Sequence, residues 1–184
     1  GFDDVEFAVP ASKDGVVYIM HDFTVNRTSD GEGLLAALTS DEVDELDAGS
    51  WFDAKFAGQR VPRLDEYLPW IKGKAKVYFD VKGADLKKLI ALVYETDFED
   101  DCFFWFGSEK QAREFRELDQ QLALKVNVGS VEDVERADRE LGADIVEVGL
   151  GNISEELVAA CHDRGIKVMV YHPRKDEAAF REVL

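Results

Sequence analysis

Three short runs hold the side chains that could do chemistry: Val5-Glu6-Phe7-Ala8-Val9, His21-Asp22 and Asp80-Val81-Lys82. Successive side chains of a strand point to opposite faces, so the apolar set Val5, Phe7 and Val9 puts Glu6 and Ala8 on the other side. The same alternation, with Val77, Phe79 and Val81 as the apolar set, groups Tyr78, Asp80 and Lys82. In a parallel-sheet protein that second set faces the interior of the sheet, and its C-terminal strand ends are where such enzymes keep their chemistry. Glu6 and Asp80 together make a hard oxygen site suited to Mg²⁺ or Ca²⁺, with water or substrate oxygens completing the shell. Lys82 is spaced to pair with a carboxylate or a phosphate, and an Asp80–Lys82 ion pair with no ligand accounts equally well for those two residues. His21 followed by Asp22 reads as a general acid or base with an orienting carboxylate, although a histidine at a strand end is often structural.

Further along, Val126 outward puts Lys125 inward, and Val146 with Val148 outward puts Glu147 inward. The run Phe103-Phe104-Trp105-Phe106 reads as core, with Trp105 carried beside Lys125 and Glu147 as a candidate substrate contact. His172 falls at a strand end before Pro173, and His162 in a helix facing solvent. No glycine-rich phosphate loop, cysteine or histidine metal cluster, or serine nucleophile elbow is present.

These residues need a scaffold. From about Val77 onward, β-branched and aromatic runs alternate with amphipathic stretches, the rhythm of a parallel βαβα sheet. Strands are expected at Lys76 to Val81, Cys102 to Phe106, Leu122 to Val126, Asp144 to Val148 and Lys167 to Tyr171. Helices are expected between them at Ala84 to Tyr94, Ser108 to Leu118, Val131 to Leu141 and Ser154 to Arg164. Ser130 with Asp133 resembles a capping box, and Gly142 and Gly165 stand where a helix end takes a left-handed residue. Upstream, Asp4 to Val9 and Val16 to Met20 read as two strands around an Asp14-Gly15 turn. The long segment Asp22 to Arg63 precedes a helix at Leu64 to Ile71. A connection of that length in an α/β domain is functional or an inserted subdomain; its helix Ser40 to Leu46 and its aromatics Trp51, Phe52 and Phe56 predict that it packs. With no linker in view, residues 1–184 read as one domain. Six βα units are countable, against eight in a full barrel of roughly 250 residues, and an open doubly wound sheet is the alternative.

Composition narrows the classes. The chain has 184 residues, 46% hydrophobic and 33% charged, with 4 prolines, as in an ordinary globular domain. No apolar run reaches the roughly 18 residues of a membrane span, and no basic-then-apolar leader opens the chain, so a cytoplasmic protein without membrane insertion is expected. Against 22 Lys plus Arg stand 39 Asp plus Glu, a net charge of -17. Such a field repels a phosphate backbone and excludes sequence-independent nucleic-acid binding. A small phosphorylated ligand is compatible with it where a metal or local cations overcome the field. Cys102 and Cys161 read as buried free thiols. Oligomeric state is not written in the residues, and a homo-oligomer stays open.

Taken in order, Val5-Glu6-Phe7-Ala8-Val9, Ser12-Lys13-Asp14-Gly15-Val16-Val17, His21-Asp22, Arg27-Thr28 and Gly31-x-Gly33 resemble the central signature of the glycerophosphodiester phosphodiesterase family. Asp47-Ala48-Gly49-Ser50-Trp51-Phe52, Phe56-Ala57-Gly58 and Val61-Pro62-Arg63-Leu64-Asp65-Glu66-Tyr67-Leu68 continue it, and Asp80-x-Lys82 fits more loosely. The resemblance implies a (β/α)₈ TIM barrel, here without its first and last βα units, with a small insertion after the second strand that accounts for residues 22–63. It implies hydrolysis of a small-molecule glycerophosphodiester to glycerol 3-phosphate and an alcohol, with a divalent metal, Mg²⁺ or Ca²⁺. By position, Glu6 and Asp80 become metal ligands, His21 a catalytic histidine and Lys82 a catalytic and substrate-binding cation. The chain departs from the pattern in three places: the first-strand histidine motif is absent, Ala8 stands where a third metal carboxylate is usual, and Asp80 stands where Glu is usual. A non-catalytic phosphodiester- or partner-binding descendant is the competing reading.

Overall fold

The computed structural model describes residues 4–172 and 181, and the chain divides into two compact units, Gly1–Ser108 and Glu109–Leu184. Among the described residues there are six strands, three in each unit, and every pair formed within a unit is parallel.

The first unit is built on β1 (Asp4–Val9), β2 (Lys76–Val81) and β3 (Cys102–Phe106), with helices α1 (Ser40–Asp44), α2 (Leu64–Ile71) and α3 (Leu86–Glu95). The alternation expected of these strands sorts the side chains. Phe7, Val9, Val77, Phe79, Val81, Phe104 and Phe106 are buried on one face, and Phe7 meets Tyr67 of α2 edge-on at 5.3 Å. The opposite face carries Glu6 and Ala8, Tyr78 and Asp80, then Phe103 and Trp105, with Tyr78 stacked on Phe103 at 4.9 Å. Helix α3 begins at Leu86 rather than Ala84 because the Asp85 side chain accepts the Lys88 N–H and ends the extended backbone there.

Residues 16–20 are not a sheet strand, which corrects the expectation. The segment is extended, but it is held by isolated antiparallel bridges, Ala11 to Val17 and Tyr18 to Arg63, and by single hydrogen bonds from Tyr18 N–H to Pro10 and Ile19 N–H to Pro62. Pro10 and Pro62 have no N–H to return, so no ladder propagates. The long segment between β1 and α2 has a small core in Val25, Leu35 and Val43, with Tyr18, Met20 and Val61. A second correction concerns its aromatics: Trp51, Phe52 and Phe56 do not pack inward but are 50%, 70% and 39% exposed. Asp47 holds their loop out. Its carboxylate accepts from Gly49 N–H, Ser50 N–H and hydroxyl, and Gly58 N–H.

The second unit comprises α4 (Glu109–Leu118), β4 (Ala123–Val128), α5 (Val131–Leu141), β5 (Ile145–Gly149), α6 (Glu155–His162) and β6 (Lys167–Tyr171). Val128, Val146 and Val148 pack with Val134, Ala137, Leu157 and Cys161 of the two helices. Ser130 caps α5 by accepting from Asp133 N–H, and Gly142 ends it in the left-handed conformation at φ 55°. Ser154 lies outside α6 as its cap. Both cysteines are buried thiols outside any disulfide, and burial pushes the Cys161 thiol up. Among the described residues no helix is long and apolar enough to cross a membrane.

Candidate active site

Parallel pairing of β1 with β2 sets Glu6 opposite Tyr78 and Ala8 opposite Asp80. Glu6 and Asp80 therefore share a face but lie on the diagonal, roughly 8 Å apart at Cα from strand spacing and rise. Glu6 is exposed, and no described residue takes its carboxylate. Asp80 is buried, and one of its oxygens meets the Lys82 ammonium at 3.0 Å.

Lys82 follows the last residue of β2, and its ammonium also donates to the His21 carbonyl at 2.9 Å. Two of its three donors are thus committed, and one is left for a ligand oxygen. The Phe23 ring lies 6.0 Å from the same nitrogen. The ion pair anticipated from the sequence exists, and it joins β2 to the backbone that carries His21.

His21 is held by its neighbour: Nδ1 lies 2.8 Å from an Asp22 oxygen, and Arg27 grips the same carboxylate through Nε at 2.6 Å and Nη2 at 2.9 Å. The Arg27 guanidinium, then His21, hold the Asp22 carboxyl well below the usual carboxylate range. His21 is 72% and Arg27 57% exposed, so these pairs contribute little to stability. Their consequence is one of orientation: with Nδ1 engaged by Asp22, Nε2 is the ring nitrogen left open. His21, Arg27, Thr28, Met20, Ala48 and Trp51 line a pocket of about 210 Å³ within this unit. The Arg27 clamp could not be found from periodicity, because residues 22–27 form an irregular turn where spacing does not map onto space.

In the second unit Lys125 is 1% exposed and its ammonium pairs with Glu147 at 2.8 Å. Trp105 belongs to β3, opposite Asp80 and on the same face. His162 is exposed at the end of α6.

The donor set fits a hard divalent cation. Two carboxylates, one exposed with no described partner and one with a single oxygen engaged, are what Mg²⁺ takes when waters and substrate oxygens fill its other positions. Among the described residues no group of three or more His, Cys, Asp or Glu converges, and Ala8 opposite Asp80 is where the third carboxylate would enter.

The model of the glycerophosphoryl diester phosphodiesterase family matches residues 1–183. The chain is 33% identical over 177 residues to a glycerophosphodiester phosphodiesterase of Caldanaerobacter subterraneus subsp. tengcongensis, covering 91% of this chain and 72% of that one. Its fold superposes with a TM-score of 0.90 on the crystal structure of a glycerophosphodiester phosphodiesterase from Agrobacterium tumefaciens, at 33% identity, over 98% of this chain and 79% of that one. A phosphodiesterase of Oleispira antarctica, solved with sn-glycerol-3-phosphate, shares the fold at a TM-score of 0.82 and 21% identity, over 98% of this chain and 77% of that one. The α/β architecture, the match along the whole sequence and the named relatives agree: this chain belongs to the glycerophosphoryl diester phosphodiesterase family.

Proposed function

We propose that the chain hydrolyses glycerophosphodiesters to sn-glycerol 3-phosphate and an alcohol. The observation that carries this reading is the His21–Asp22–Arg27 relay beside the Lys82–Asp80 pair, in a chain with named relatives of that activity. In the reaction water adds to phosphorus, the bond from phosphorus to the alcohol oxygen breaks, and the proton that water loses is balanced by one delivered to the departing alkoxide. His21 moves one of these protons at Nε2, and Asp22 fixes the ring and stabilises its charged form. Lys82 directs its remaining N–H at a phosphoryl oxygen, where charge grows in the transition state. Glu6 and Asp80 are the residues that would hold Mg²⁺ or Ca²⁺, and such a cation supplies charge neutralisation at the phosphoryl group. Trp105, on the face of β3 that carries it beside Asp80, is assigned to substrate contact. A non-catalytic binding role draws on departures from the family pattern such as Ala8, and the relatives weigh against it.

The test is release of sn-glycerol 3-phosphate from glycerophosphocholine and glycerophosphoethanolamine by the purified protein, with Mg²⁺, Ca²⁺ or EDTA, beside His21→Ala. Turnover that needs the cation and disappears in the variant is the expected result. A folded protein that turns over neither substrate with any cation would overturn the reading.

A further inference from the structure

Lys82 stands past the last residue of β2, where a lysine ordinarily reaches into solvent, yet its side chain is only 17% exposed. Asp80 at 3.0 Å and the His21 carbonyl at 2.9 Å take two of its donors. Phe23 also bounds the ammonium, which stands over the face of the ring at 6.0 Å from its centre. The core does not account for this ring: Phe23 is 62% exposed and takes no part in the cluster of Val25, Leu35 and Val43. Its placement is nevertheless fixed from both sides. Asp22 before it holds His21 and Arg27, its own carbonyl accepts from Leu35 N–H at 3.0 Å, and Thr24 after it bridges to Leu34. At 6.0 Å the direct attraction between ammonium and ring is at the end of its range. What the ring does is occupy space where water would otherwise solvate and screen the remaining N–H. A charge-assisted hydrogen bond made beside such a wall is stronger than the same bond made in open water.

We infer that Phe23 is a positioning residue for the phosphoryl group: its ring excludes water from the Lys82 ammonium and so strengthens the bond from the remaining N–H to a phosphoryl oxygen. This rests on the phosphodiester reading above. Phe23 acts through Lys82 and does not touch the reacting atoms, so another apolar side chain of similar reach serves in its place. The benefit grows with the charge on the oxygen and is larger in the transition state than in the bound substrate. Loss of the ring therefore lowers kcat as well as affinity.

The experiment is a calorimetric titration of sn-glycerol 3-phosphate, with Mg²⁺ present, into the unmodified protein, Phe23→Ser, Phe23→Leu and Phe23→Tyr, repeated in a Lys82→Met background and at rising NaCl. Phe23→Ser should weaken binding about fivefold, Phe23→Leu should recover most of the loss, and the loss should shrink below about twofold once Lys82 is replaced by Met. The salt dependence should steepen in Phe23→Ser, because a charge open to water is screened more than a covered one. Equal losses with and without Lys82 overturn the inference, since Phe23 would then touch the ligand itself. Recovery by Tyr but not by Leu overturns it in favour of a ring-face contact. Affinity indifferent to residue 23 overturns it outright, as does an unmodified protein that takes up no sn-glycerol 3-phosphate. Where Lys82→Met does not fold or binds too weakly to titrate, the recovery by Leu and the salt slope decide between these outcomes. The two readings separate: cleavage of glycerophosphocholine by the unmodified protein with affinities indifferent to residue 23 sinks only the water-excluding wall, and affinities that follow residue 23 without any cleavage sink only the hydrolase.

Discussion

His21 is exposed, so nothing in its own burial orients it; Asp22, itself gripped by Arg27, holds the ring. Replacing Asp22 by Asn keeps the size but releases the tautomer, and kcat/KM should fall by ~10²-fold with little change in melting temperature, because exposed pairs contribute little to stability. Asp22→Glu should recover part of the loss, which a purely structural role would not show. Ala8 offers the complementary gain. An Asp at that position stands directly opposite Asp80 on the face that carries Glu6, so Ala8→Asp should raise affinity for Mg²⁺ or Ca²⁺ by about tenfold or more in a calorimetric titration, whether or not turnover follows. An unchanged affinity would remove Glu6 and Asp80 as ligands.

At the scale of elements, β4 and β5 hold a lysine that is almost wholly out of water. Glu147→Ala leaves the Lys125 ammonium without its carboxylate and should destabilise the protein by about 3–5 kcal/mol in denaturant unfolding. The paired replacement Lys125→Met with Glu147→Leu should restore most of that stability. Residues 12–60 depend on carboxylates in another way. Hydrogen bonds from Ser40 and then Ser12 bring Asp14 down to about 2, and Ser50 with the Gly58, Ser50 and Gly49 N–H groups holds Asp47 below the usual carboxylate range. A carboxylate depressed in the folded state stabilises above its unfolded value near 3.8 and loses that contribution as pH falls through its folded value. Acid should therefore loosen residues 12–60 between about pH 4 and pH 2. Hydrogen exchange across this range should show protection at Ser40, Gly49 and Gly58 lost before that of β2. The strands and helices themselves were legible because their signals are local: β1, α2, β2, β3, α5 and β6 begin and end where alternation and capping residues put them. Residues 16–20 misled because alternation alone cannot register that Pro10 and Pro62 deny the segment a ladder.

For the whole molecule, the charge of -17 acts on every approach of a phosphodiester. For an anionic substrate such as glycerophosphoglycerol, kcat/KM should rise as ionic strength screens the repulsion, while the zwitterionic glycerophosphocholine should show little change. A falling rate for the anion would reveal that the local cations Arg27 and Lys82 outweigh the global field. The ordered motifs along residues 5–68 were enough to identify the family, since they are a matter of residue type and order. Alternation was enough to put Glu6, Ala8, Asp80 and Lys82 on one face, because a strand's period of two is set by the backbone itself. Tertiary structure decided the rest. The pairing register set Ala8, not Glu6, opposite Asp80, and Lys82 reached a carbonyl 61 residues away in the chain. Trp51, Phe52 and Phe56 turned to solvent instead of into the core. Each of these outcomes depends on partners distant in sequence, whose approach is fixed by packing and by hydrogen bonds such as those of Asp47, and no local pattern of residues encodes it.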